Sequence, residues 1–134
     1  DTTTVIRALS IAPDYLPSPM ATRTFFIDTD HEIPIMSLTS DPHNYWDWED
    51  GILVDGPDAG TEWPYWGANY WVDKDIPVHM EYFTTEQELG IAQQVDVKTH
   101  GGRGARLHPQ KPLRILFKEK YGTFDKILFF ISER

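Results

Sequence analysis

The sequence predicts a mainly β protein: an antiparallel, sheet-rich module with long loops and little helix, preceded by an N-terminal two-strand arm. Three observations predict it. Val, Ile, Thr, Phe and Tyr gather in short, partly alternating runs of strand length. Most of the 10 prolines and 9 glycines fall between those runs, where they close turns and forbid helix. No segment carries a 3.6-residue apolar period long enough for a long helix.

Taken in order, Val5–Ile11 and Thr22–Ile27 read as strands, separated by Pro13-Asp14-Tyr15-Leu16-Pro17-Ser18-Pro19, whose three prolines demand an irregular loop. The polar break Asp28–Glu32 marks a boundary, so that residues 1–30 form one piece and 31–134 another. Pro34–Thr39 is the next strand. Ser40-Asp41-Pro42 then supplies a cap and a first-turn proline for a short helix through Trp46. Gly51–Gly56 reads as a short strand closed by a turn, and residues 55–75 as a long loop. Ile76–Phe83 alternates, with Val78, Met80 and Tyr82 on one face; Thr84–Gly90 is turn-like, and Ala92–Lys98 is a strand with Val95 and Val97 on one face. Leu113–Phe117 is a strand, Glu119–Thr123 a turn, and Ile127–Ile131 an apolar run that suits a buried strand or a short helix.

Composition narrows the function classes. A chain of 134 residues buries roughly two thirds of its unfolded surface and needs no staple. It has no cysteine, which excludes disulfides, Cys-ligated zinc, iron–sulfur clusters and a thiol nucleophile. No apolar run approaches the roughly 20 residues of a membrane span. The chain opens on Asp1 with no Met start and no signal-peptide core, as an excised piece would. The net charge of −9 argues against nucleic acid as a partner. That charge is unevenly spread: residues 1–97 hold three basic residues against eighteen acidic ones, and residues 98–134 hold nine against three. Either the two surfaces face each other inside the fold, or the basic end faces an anion or an acidic partner.

Three segments could carry chemistry. In Lys98–Arg114, glycines 101, 102 and 104 let the backbone approach a ligand closely and turn consecutive N–H groups toward an anion, while Arg106 and Lys111 add positive charge. The segment lacks the GxxxxGK[ST] pattern of a P-loop and also suits an exposed hairpin. In residues 45–71 lie all five tryptophans, Trp46, Trp48, Trp63, Trp66 and Trp71, beside the carboxylates Asp47, Glu49 and Glu62. Planar rings beside carboxylates form sugar-binding faces; equally, they pin a long loop to a sheet. The acidic clusters fit a solvated surface better than a metal site: Asp28–Glu32 has Ile33 and Thr39 where a calcium loop needs Gly and Glu, and the five histidines show no metal-ligand spacing. No catalytic or metal-ligating set is assigned.

Residues 33–134 carry a further signal in Ile33–Pro42, Asp50–Val54, Ile76–Phe83, Val95–Gly102, then Arg106, Pro109–Phe117 and Tyr121-Gly122. In order and approximate spacing these blocks resemble the N-terminal part of the spore-coat protein H (CotH) kinase-like family. That family comprises secreted or envelope-associated bacterial proteins and coat proteins, some of them atypical protein kinases. The resemblance implies that Arg106, Lys111, Gly101 and Gly102 face a nucleotide phosphate, with ATP and Mg²⁺ as cofactors of the parent protein and none in this segment. It also places the family's metal-binding and catalytic Asp and Asn residues beyond this segment. Gly104-Ala105 and Pro112 stand where the family commonly has hydroxyl residues.

Thr4–Ser10, Tyr15–Ser18 and Ala21–Ile27 resemble the last two strands of a chitobiase C-terminal-type β-sandwich. Two strands cannot bury a sandwich core alone. They are expected either to pack as a hairpin against the module's own sheet or to form a strand-paired homodimer through residues 1–27, and the stiff proline connection favours the second. The expected function is that of a non-catalytic structural and interaction segment of a secreted or surface protein, whose partner is the remainder of the parent chain. The alternative is a carbohydrate-binding module using the Trp-rich loop.

Overall fold

The computed structural model describes residues 2–29 and 31–122. It is mainly antiparallel sheet. Strands β1 (Thr2–Ala8) and β2 (Ala21–Ile27) form a two-stranded sheet, and β3 (Ile35–Thr39), β4 (Ile76–Phe83), β5 (Leu89–Thr99) and β6 (Leu113–Leu116) form a four-stranded sheet in that order. The helices are α1 (Pro42–Trp46) and α2 (Arg103–Arg106), with 3-10 turns at Asn69–Trp71 and Glu119–Tyr121. The apolar run Ile127–Ile131 lies outside the described residues.

The chain divides into two compact units: residues 1–39 with 79–93, and residues 40–78 with 94–134. In the first, β1 and β2 pair from Thr2–Ile27 to Ala8–Ala21. The strand expected at Val5–Ile11 is shifted toward the N-terminus, because Ser18 takes both backbone groups of Ser10: the Ser10 N–H donates to Ser18 Oγ, and the Ser10 carbonyl accepts from the Ser18 N–H. On β2, Thr22 and Thr24 are buried. The Thr24 N–H donates to the Glu81 carboxylate at 2.7 Å, its hydroxyl shares a hydrogen bond with Ser37, and Phe26 meets Phe83 edge-on at 4.9 Å. The hairpin therefore packs on strands of its own chain.

That packing changes the exposure of β4. Alternation places Val78, Met80 and Tyr82 on one face, yet Tyr82 is half-buried while Glu81 and Phe83 are buried. The hairpin covers the face that an isolated amphipathic strand would leave wet. Glu81, 1% exposed, tolerates burial because Thr24 and Arg23 supply it with donors.

In the second unit, α1 starts as its sequence predicts: the Asp41 side chain accepts from the His43 N–H, with proline at the first helical position. Gly51–Gly56 is a turn and contains no strand. Its first backbone donors are spent on α1 and its C-cap, with Gly51, Ile52 and Leu53 bonding the carbonyls of Asp47, Asn44 and Tyr45. Ile52, Ala68, Tyr70, Ile76, Val78, Val95 and Val97 are buried here. Strands β5 and β6 pair from Asp96–Leu116 to Thr99–Leu113.

Part of the uneven charge is resolved within this unit. Lys98 pairs with Asp73 and Asp75, Lys118 with Asp75 and Asp96, and Lys120 with Asp96. Asp96 also accepts from the Tyr121 hydroxyl. Burial alone would raise the Asp96 pKa, but the hydrogen bonds from Lys118, Lys120 and Tyr121 outweigh it and bring it down to about 2.

Two predictions follow from these carboxylates. Replacing Glu81 by Ala leaves the Thr24 N–H without its acceptor, so thermal melting should show a loss of roughly 1.5–3 kcal/mol, and amide exchange at Thr24 should accelerate. Asp96 has a folded pKa below its unfolded value, so its stabilisation is complete above the ordinary carboxylate pKa and is lost as pH falls through about 2. Acid titration of melting temperature should therefore fall more steeply for the native chain than for Asp96→Asn, by about 2 kcal/mol across that window.

Candidate functional site

The glycine-rich connection between β5 and β6 is a shaped loop and not a tight hairpin. Its base is closed by the His100 N–H on the Pro112 carbonyl at 2.9 Å. Gly101 has φ of +95°, and a Cβ there would lie 2.7 Å from Ala105 Cβ, so this position requires glycine. Gly102 caps α2, its carbonyl accepting from the Ala105 and Arg106 N–H groups. Gly102 and Gly104 differ from Gly101: added Cβ atoms would meet nothing within 4 Å, and neither has a positive φ. The chain's own packing does not ask for glycine at either.

Arg106 and Lys111 converge on one residue, Tyr70. Arg106 donates through Nε to the Gly101 carbonyl and through Nη1 to the Tyr70 carbonyl, both at 2.8 Å, and its guanidinium stands 5.4 Å from the centre of the Trp71 ring. The Thr99 hydroxyl bonds the same Tyr70 carbonyl at 2.9 Å. Lys111 places its ammonium 4.1 Å from the Tyr70 ring centre. Burial lowers the Lys111 pKa, and the charge of Asp55 partly offsets that. The Tyr70 hydroxyl is pushed up to about 12, first by burial and then by Asp55, whose carboxylate it also meets in a hydrogen bond.

The lysines separate into two kinds. Lys74, Lys98, Lys118 and Lys120 each form an ion pair with an aspartate. Lys111 is the one lysine among the described residues with no carboxylate at ion-pair distance; its cation rests on an aromatic face instead.

The five tryptophans do not share one role. Trp71 is half-buried, with Trp66 at 4.8 Å, Tyr70 at 5.7 Å, and its indole N–H on the Pro64 carbonyl. It pins the aromatic loop. Trp66 carries the Arg103 guanidinium at 5.1 Å. Trp46, Trp48, Trp63 and Trp66 each expose more than half of their surface.

The acidic run containing Asp47 and Asp50, whose sequence reads as solvated surface, is joined by His43. His43 places Nδ1 3.1 Å from Asp47 and Nε2 3.2 Å from Asp50, and these ligand-type atoms all lie within 4.8 Å of one another. The signal was the His–x3–Asp spacing from His43 in α1 to Asp47 at its C-cap. Lys74 bonds Asp50 at 2.6 Å and, as the first cause, lowers its pKa. The group is exposed and satisfies itself through its own contacts.

Comparison with family models, curated proteins and solved structures returns no match for this chain.

The glycine geometry makes a graded prediction. Gly101→Ala should destabilise by about 1–3 kcal/mol, combining left-handed strain with the clash at Ala105. Gly102→Ala and Gly104→Ala should change the melting temperature little.

Proposed function

We propose that this chain is the N-terminal, β-rich part of a CotH-like module in a secreted or surface bacterial protein. In this reading it is a non-catalytic structural and interaction segment. It contributes the loop of Gly101, Gly102, Arg106 and Lys111 to a kinase-like site that binds ATP and Mg²⁺ in the parent. The observation that carries the reading is Lys111, a lysine resting on the Tyr70 ring with no carboxylate at ion-pair distance among the described residues, the charge of Asp55 acting on it from farther off. An anion beside it would gain a charge-assisted hydrogen bond without first breaking an ion pair. The open space over Gly102 and Gly104 adds support, since glycine without a conformational need suits close approach by a ligand. Arg106, already spent on two backbone carbonyls, acts in this reading as the positioning residue that holds the loop against Tyr70.

Phosphoryl transfer depends on metal-bound carboxylates set against the phosphates, and the family resemblance puts those outside this segment. The segment is therefore expected to bind without turnover. Titration calorimetry with ATP and Mg²⁺ should show weak binding that falls about tenfold or more in Lys111→Met, with an unchanged melting temperature. Affinity indifferent to Lys111, or metal-dependent ATP hydrolysis lost on mutating it, would overturn this assignment.

A second reading, carbohydrate binding by residues 45–71, is favoured by the exposure of Trp46, Trp48, Trp63 and Trp66. Stacking of sugar on an exposed indole shifts its fluorescence and retards the protein in a polysaccharide gel. Replacement of Trp46, Trp48 and Trp63 together by alanine should abolish that retardation if the reading holds and leave it unchanged if the protein binds no glycan.

A further inference from the structure

The two edges of the β1–β2 sheet are not equivalent. On β2, the Thr24 N–H donates to Glu81 and the Thr22 carbonyl accepts from the Arg23 guanidinium. Both backbone groups therefore point away from β1, which makes Val5–Thr24 and Arg7–Thr22 the pairs without mutual hydrogen bonds. By the antiparallel alternation, Thr3–Phe26 is of the same class. Across β1, the N–H and C=O groups of Thr3, Val5 and Arg7 must point to its other side. Among the described residues no strand lies there: the sheet has two strands, and β1 is an edge.

The usual protections of an edge are missing from it. Thr2–Ala8 contains no proline, no lysine and no acidic residue, and Arg7 is its one charge. The adjoining outer surface of the hairpin is a groove lined by Ile6, Ala8, Ala21 and Phe25 together with Thr22 and Arg23, with Ile6 54% and Phe25 48% exposed. A two-stranded sheet is marginal in water, and additional strands stabilise it.

The geometry points to a second copy of this chain as the partner, paired antiparallel along β1 about a two-fold axis through Val5. The outward-facing groups sit at Thr3, Val5 and Arg7, symmetric about Val5, and Val5 is also the midpoint of Thr2–Ala8. A two-fold axis there satisfies every free group at once. Val5 exchanges both bonds with its symmetry mate, and Thr3 exchanges both with the mate of Arg7. The strands overlap over their full length with no overhang. Each Arg7 falls opposite a threonine, so no like charges meet. Ile6 falls opposite Thr4, and the two outer grooves become one face of a four-stranded sheet. The contact is isologous and closed, so it stops at the dimer. A shift by one residue brings inward-turned backbone groups to the interface, and a shift by two leaves Thr3 or Arg7 unpaired.

Sedimentation of the full chain should show the mass rising with concentration from 15.5 kDa toward twice that value. Val5→Pro removes the donor on the axis without breaking a bond to β2, and should weaken the dimer about tenfold or more, which is ~1.4 kcal/mol. The absence of native cysteine permits a second test that does not depend on that variant folding normally. Paired Cα atoms at the axis lie about 5.5 Å apart, within disulfide reach. Under mild oxidation Val5→Cys should therefore give a covalent dimer, and Ile11→Cys, placed in the exposed loop, should not. A native chain that remains at 15.5 kDa at its solubility limit overturns the proposal. So does association unaffected by Val5→Pro, or cross-linking equal at positions 5 and 11.

Discussion

One peptide carbonyl organises the loop between β5 and β6. The Tyr70 carbonyl accepts from Thr99 at the end of β5 and from Arg106 at the end of α2, while the Tyr70 ring beneath carries Lys111. A carbonyl with two lone pairs can take both donors at full strength, so strand end and loop are tied to one point. The ring is 1% exposed and cannot swing away. Arg106 is the longer reach of the two, and its Nε on Gly101 holds the loop's own backbone at the same time. One side chain thus ties the start of the glycine-rich loop to Tyr70, which helps the loop keep a definite shape.

Two buried carboxylates show different solutions to one problem. Glu81 meets a backbone N–H and a single long guanidinium contact of 3.5 Å, so it spends its charge on satisfying an orphan donor at a strand edge. Asp96 gathers two ammonium groups and a phenol, and its lowered pKa measures how far those donors exceed the penalty of burial. The lysines around it remain partly exposed and add little as isolated pairs. Their value lies in the shared, desolvated acceptor. Lys111 stands apart from this arrangement, because an aromatic face attracts a cation without neutralising it.

Much of the fold was legible locally. β3, β4 and β6 lie within a residue of where alternation places them, α1 begins at the Asp41-Pro42 signal, and Val95 and Val97 are buried together on β5. The misreadings share one cause. Gly51–Gly56 has strand-like composition, but its first donors are spent on the carbonyls of α1 and its C-cap. Val5–Ile11 loses its last residues to Ser18, and Glu81 is buried because a hairpin distant in sequence brings Thr24 to it. In each case a hydrogen-bond partner outside the local window decided the outcome.

The sequence by itself determined the β class, the position of most strands, the absence of cysteine chemistry and the segregation of charge, because period, turn residues and composition act over a few neighbours. Only the tertiary structure decided which charges cancel. Lys98, Lys118 and Lys120 meet aspartates, while Lys111, a few positions from them in the chain, meets a tyrosine ring. It also decided that Trp71 would pin the loop while Trp46, Trp48, Trp63 and Trp66 remain exposed. Composition states how many cations and rings there are; which of them stay unsatisfied depends on the distances that folding sets between residues far apart in the chain.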